Sequence, residues 1–89
     1  MLNQIVKVKN STGLHARPAA KLAKTIKGYD CRVTLRYEDR EINAASMMNI
    51  MRAGIKGGGA VEIICDGQDE AGAMQAIVTL FRERFGETE

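Results

Sequence analysis

One histidine, one proline, two cysteines and no tryptophan stand in 89 residues. Each scarcity excludes something. A single histidine and the absence of Cys-x-x-Cys leave no ligand set at metal-binding spacing. No metal and no other cofactor is therefore expected. Cys31 and Cys65 are distant in sequence and fall in expected strands, so buried free thiols in a reducing compartment are the expectation. Aromatic residues are 4% of the chain, which predicts an aliphatic core and leaves no stacking platform for single-stranded nucleic acid. The formal charge of +2 is too small to argue for nucleic acid. No run approaches the roughly 18 apolar residues of a membrane span. Met1 to Asn10 lacks the apolar centre of a signal peptide, so a cytoplasmic protein is expected. Splitting so short a chain would leave pieces too small to bury a core. One domain, residues 1–89, is expected.

What is present centres on Gly13-Leu14-His15-Ala16-Arg17-Pro18. Proline is tolerated in a helix only in the first turn, where its missing N–H costs nothing. His15 therefore falls at or just before the first helical residue. The unpaired N–H groups of Ala16 and Arg17 and the helix dipole make that end positive and ready for an anion. A positive helix end favours a neutral, nucleophilic imidazole. A phosphoryl group on that ring would gain the amide donors and the Arg17 guanidinium. The plainer reading is a surface histidine that happens to precede a helix.

The elements follow from patterning. Met1 to Lys9 reads as a strand, with Leu2, Val6 and Val8 on one face and Ile5 pointing to a partly covered second face. Asn10 to Gly13 is a loop. A helix from about Ala16 to Lys27 has Ala19, Leu22, Ala23 and Ile26 on its core face, with Gly28 as its stop. Arg17, Lys21, Lys24 and Lys27 line another side, as a solvated row or as a strip that steers an acidic partner. Cys31 to Tyr37 alternates as a half-wet strand, and Arg40 to Ala44 returns as its hairpin partner without the usual turn glycine. Ser46 is placed to cap a short helix from Met47 to about Ala53. Met47, Met48, Ile50 and Met51 occupy most of that helix's circumference. So short a helix cannot bury all four, so exposed methionine suited to several partners is expected, against simple core packing. Gly54 to Gly59 reads as a loose loop and lacks the spacing of a P-loop. Ala60 to Asp66 is a fourth strand. A last helix carries Met74, Ile77, Val78, Phe81 and Phe85 as its stripe, and Gly86 to Glu89 is expected to fray.

The order β-α-β-β-α-β-α, with alternating strands and one-sided helices, predicts an α+β fold: a two-layer open-faced sandwich of four antiparallel strands covered on one face by three helices.

Gly13-Leu14-His15-Ala16-Arg17-Pro18-Ala19-Ala20 resembles the active-site signature of the HPr family, the histidine-containing phosphocarriers of the bacterial phosphoenolpyruvate-dependent sugar phosphotransferase system. Asn43, Ala44 and Ser46-Met47-Met48 resemble the family's second signature, and length and element order agree. The resemblance implies that His15 accepts a phosphoryl group on Nδ1 from phosphorylated Enzyme I and passes it to IIA-type acceptor proteins. Such a protein is a carrier acting through phosphohistidine rather than an enzyme with its own small substrate. It implies that Arg17 stabilises the transferring charge and that the Ala16 and Arg17 amides assist. Ala20, Lys24, Met47, Met48 and Met51 would form the partner surface. It also implies contact with membrane permeases only through partners, and a monomer is expected. Ser46 matches a position phosphorylated by an HPr kinase/phosphorylase, with a carbon-control transcription regulator as a further partner. Ala45, Met47 and Asn49 depart from the common pattern there, and capping alone also accounts for a serine. Two other readings stand beside this one. One is an HPr-like regulatory relay in nitrogen or carbon control. The other is a KH-like RNA-binding module, from Gly54-Ile55-Lys56-Gly57 and the basic first helix.

Overall fold

Alternation in the strands translates directly into a one-sided sheet. The computed structural model describes residues 1–88. It contains β1 (Leu2–Lys7), α1 (Ala16–Ile26), β2 (Arg32–Tyr37), β3 (Arg40–Asn43), α2 (Met47–Arg52), β4 (Ala60–Asp66) and α3 (Glu70–Arg82), followed by a 3-10 turn at Arg84–Gly86. The sheet order is β1-β4-β2-β3, every pair antiparallel. Val33 opposite Cys65 and Leu35 opposite Ile63 form the buried face under the helices. Thr34 opposite Ile64 and Arg36 opposite Glu62 form the other face. The expected two-layer α+β sandwich is the observed one.

The outer face is wet rather than partly covered. Ile5 lies opposite Glu62 and is 70% exposed. Its neighbours are a polar lattice: Asn3 Nδ2 donates to Glu62 at 2.8 Å, and Arg36 pairs with Glu41 at 3.0 Å and Glu62 at 3.5 Å. The β2–β3 turn manages without glycine by placing Glu38 (φ 51°) and Asp39 (φ 64°) both in the left-handed region. That is the backbone of a type I′ turn, whose twist matches a hairpin.

The core is aliphatic in its bulk, but its two largest fully buried side chains are Phe81 and Phe85. Their rings meet edge to face, centroids 4.9 Å apart at 68°. Phe85 does not continue the helical stripe. The α-helix stops at Arg82, and Arg84 (φ 56°) and Phe85 (φ 54°) turn the chain back so that the second ring reaches the first. Both cysteines are free, and only one departs from the expected burial. Cys65 is fully buried, whereas Cys31, just ahead of β2, is half-buried. Burial, followed by the charge of Cys31 and a hydrogen bond with it, pushes the Cys65 thiol up to about 12. Among the described residues no helix is long and apolar enough to cross a membrane, and no cluster of three or more metal-ligating side chains occurs.

Candidate functional site

His15 is the N-cap of α1, with φ −80° and ψ −163°, and Pro18 is the third helical residue. The His15 carbonyl accepts the first intrahelical bond, from Ala19 N–H at 2.9 Å. Its side chain caps nothing. The imidazole is instead directed outwards, 43% exposed, and the first-turn N–H groups are left for an external acceptor.

The approach to His15 is fixed from below by Leu14. Its side chain is buried, and its N–H donates to the Ile55 carbonyl at 3.0 Å. Gly13 takes φ +74°, and a Cβ there would lie 2.3 Å from that same oxygen. Ile55 is itself buried, and the Lys56 N–H donates to Tyr37 Oη at 3.4 Å. The Gly54–Gly59 segment is thus packed under the site rather than loose. Of its Gly-x-x-Gly pair, Gly57 serves that packing, since a Cβ there would meet the Asn10 and Ser11 carbonyl oxygens, whereas nothing lies within 4 Å of the Cβ position at Gly54.

Two open clefts meet at His15. One, of about 540 Å³, runs past Ser11, Thr12 and Leu14 to Met51 and Ile55. The other, of about 460 Å³, is lined by Thr12, His15, Arg17, Gly86, Glu87 and Thr88. Arg17 is exposed and makes no hydrogen bond or ion pair among the described residues. The other cations of its row differ. Lys24 is exposed in the last turn of α1, but Lys21 Nζ donates to the Phe85 carbonyl at 2.6 Å and ties α1 to the C-terminal turn.

α2 packs against α1 and brings its apolar residues to this side. Ile50 is buried, Met47 is half-buried, and Met48 (55%) and Met51 (39%) are exposed. Ala20 is exposed on α1. Ser46 Oγ accepts the Asn49 N–H at 3.2 Å, so Ser46 does cap α2. Met51 lines the larger cleft with His15, but Met47 and Met48 do not.

A model of the family described as "PTS HPr component phosphorylation site" matches residues 2–83. The chain belongs to the HPr family. The phosphocarrier protein HPr of Xylella fastidiosa is 41% identical over 87 residues, covering 98% of each chain. The crystal structure of an HPr from Thermoanaerobacter tengcongensis superposes with a TM-score of 0.95 at 36% identity, over the whole of both chains. The catabolite repression protein Crh of Bacillus subtilis, described as a swapped dimer, matches with a TM-score of 0.75 at 32% identity, over 94% of this chain and 97% of that one. The fold and the phosphotransferase-system family are thus those that the His15 signature implied.

One part of this HPr site has no local signature. Glu87 Oε2 lies 3.1 Å from His15 Nε2, and Glu87 Oε1 accepts from Asn10 Nδ2 at 2.6 Å. Asn10 is fully buried and also donates to the Arg84 carbonyl at 2.8 Å. Instead of fraying, Gly86 and Glu87 donate their N–H groups to Glu83 and Arg84 at 3.0 and 2.9 Å. Glu89 lies outside the described residues. Sequence reading gave Asn10 to a polar loop and the last residues to solvent. The one available hint was Phe85-Gly86, an apolar residue and a glycine just past the helix.

Proposed function

We propose that this chain carries a phosphoryl group on His15 between proteins of the phosphotransferase system. The arrangement that carries this reading is an outward imidazole and an unpaired Arg17 lining one open cleft at the positive end of α1. The Nδ1 lone pair of His15 attacks phosphorus in phosphorylated Enzyme I while the donor's bond to phosphorus breaks. Reversal of the same step delivers the group to a IIA-type acceptor. Arg17 and the Ala16 and Arg17 amides balance the charge of the phosphoryl oxygens during both transfers. The chain acts as one carrier domain, monomeric and cytoplasmic, with no small substrate of its own. Met48 and Met51, with half-buried Met47, give the partner an apolar centre, and Ala20 and Lys24 lie on its α1 side.

Intact mass after incubation with phosphoenolpyruvate, Mg²⁺ and Enzyme I tests this. One acid-labile phosphate is expected on wild type and none on His15→Ala. A folded wild type that stays unlabelled with Enzyme I of its own organism overturns the proposal.

A second reading rests on Ser46 and on the likeness to Crh, whose description refers to catabolite repression. Here the same chain serves carbon control through phosphorylation of Ser46 by an HPr kinase/phosphorylase, with a transcription regulator as partner. A phosphate at an N-cap is favoured by the helix dipole, so it would leave the fold intact while adding charge beside the methionine patch. Kinase, ATP and intact mass decide it: no phosphate at Ser46 leaves that residue its cap alone.

A further inference from the structure

The turn that follows α3 is held by bonds from two distant segments. Lys21 holds the Phe85 carbonyl, and Asn10 holds the Arg84 carbonyl and the Glu87 carboxylate. Phe85 is fully buried. Two consecutive non-glycine residues, Arg84 and Phe85, adopt positive φ to close it. Backbone of that kind persists only where surrounding contacts over-determine it. Asn10 adds a second cost. Its Oδ1 is buried and has no hydrogen-bond partner among the described residues. Turning the amide over would place that oxygen against the Arg84 carbonyl and the Glu87 carboxylate, two acceptors. The network therefore fixes its orientation. An apolar residue would avoid the orphaned oxygen but would release the turn. What this turn delivers is one carboxylate, 17% exposed, at His15 Nε2.

At 3.1 Å a bare Nε2 would set its lone pair against those of the carboxylate oxygen, so the proximity of Glu87 favours Nε2 as the nitrogen that carries the proton. In the neutral ring Nδ1 then holds the lone pair. We infer that Glu87 is a positioning residue that fixes the tautomer of His15 and so directs phosphoryl transfer to Nδ1, and that Asn10 holds Glu87 to this task. The inference rests on His15 being the acceptor. The step balances without proton release: the Nδ1 lone pair forms the N–P bond, the donor leaves with the electron pair of its own bond to phosphorus, and the Nε2 proton stays between the ring and Glu87. The ring becomes cationic as it is loaded, and the Glu87 carboxylate lies against that charge. Arg17 lines the same cleft and is left to meet the phosphoryl oxygens. The two side chains divide the work, one on the ring and one on the cargo.

Long-range proton–nitrogen NMR of the His15 ring reads the tautomer in the absence of any partner. Wild type is expected to show Nε2 protonated and Nδ1 bare. Glu87→Ala should move both nitrogen shifts towards the average of an exchanging ring, and Asn10→Ala should do so in part. Glu87→Gln should keep the wild-type tautomer, because its amide oxygen still accepts, while lacking the charge that balances the loaded ring. With Enzyme I and phosphoenolpyruvate, Glu87→Ala should load about 10-fold more slowly, the loss of one close charge contact to the loaded ring, and phosphorus NMR should detect Nε2-linked phosphate absent from wild type. Glu87→Gln should load at an intermediate rate and at Nδ1 alone. Ring shifts in Glu87→Ala identical to wild type would overturn the inference, as would wild-type loading rates in that variant. A wild type that takes no label at all would instead overturn the carrier reading. In that case the ring spectra still decide whether Glu87 sets the tautomer.

Discussion

Replacing Gly13 by alanine tests how tightly His15 is held from below. The backbone stands at φ +74°, which costs an L-residue about 1–2 kcal/mol. The new Cβ would lie 2.3 Å from the Ile55 oxygen, where ordinary contact begins at 3.4 Å. The neighbour is backbone, so no side chain can swing aside. Relief requires separating the segment from Ile55, which breaks the 3.0 Å bond from the Leu14 N–H to that oxygen. Leaving such groups unpaired in a buried place costs about 1–3 kcal/mol. A total loss of about 2–5 kcal/mol follows, or a fall in Tm of roughly 8 °C or more for a domain of this size. Gly54 provides the control. It also has positive φ, +63°, but nothing lies within 4 Å of the Cβ position. Gly54→Ala should lose only the backbone part, about 1–2 kcal/mol. Urea unfolding followed by circular dichroism measures both, with the slope checked for constancy. Equal losses in the two variants would refute the claim that Ile55 braces the approach to His15. So would a folded Gly13→Ala that accepts phosphate at the wild-type rate.

Three other perturbations separate roles that share this end of the molecule. Arg17→Ala should slow transfer from Enzyme I by about 10-fold or more while leaving Tm within about 2 °C, because Arg17 has no intramolecular partner among the described residues and its expected partner is the phosphoryl group; a lowered Tm with unchanged transfer would reverse the assignment. Met48→Asp should raise the KM for Enzyme I with little unfolding, since Met48 is 55% exposed; collapse of the fold would make Met48 a core residue. Cys65 gives a pH signature: its thiol is held up to about 12 in the folded protein against an ordinary 9.0, so between those values the unfolded chain binds fewer protons and stability should fall as pH rises, by up to about 1.4 kcal/mol per unit. Cys65→Ala should flatten that slope in urea unfolding compared at pH 8 and pH 10.5, and an unchanged slope would place the titrating group elsewhere.

The parts of this structure that were legible in the sequence are those governed by rules acting over a few residues. Pro18 fixed the start of α1 because the proline ring permits only the first turn, and His15 followed by position. Alternation assigned the faces of β2 and β4 because the strand period is two, and Ser46 capped α2 as a serine before a short apolar run should. The distinction between Ile50 inside and Met48 outside was legible only as a surplus: too many apolar residues for one short helix. Phe85 was misread for a related reason. Its i+4 spacing from Phe81 fits a continued helix, and the structure reaches the same pairing through a sharp turn. Spacing reports that two rings meet; it does not report the path between them.

Glu87 was illegible for a different reason, and that reason bears on where the molecule is strained. It meets His15 across 71 intervening residues, and no local rule couples so distant a glutamate to a helix cap. The contact depends on two separate segments held in special states around it, costly ones at Arg84, Phe85 and Asn10 and one that only glycine takes without strain at Gly13. Gly13 and the Arg84–Phe85 pair all take positive φ, and Asn10 keeps an unpartnered oxygen in the interior. All of them brace His15 or the turn that touches it. The far end of the sheet, where Asp66 meets Arg32, shows neither feature apart from Gly67. Glu38 and Asp39 also take positive φ, but there a two-residue hairpin turn requires it; no such rule accounts for Arg84, Phe85 and Asn10. These hold the turn that reaches the imidazole at some expense in stability, and part of that expense should be recoverable. Asn10→Leu keeps the branched shape and removes the orphaned oxygen, but it also removes the donor to the Arg84 carbonyl and Glu87, so the two effects should offset and leave Tm within about 5 °C while phosphate loads more slowly. A loss of Tm together with wild-type loading would mean that Asn10 serves the fold and not the histidine.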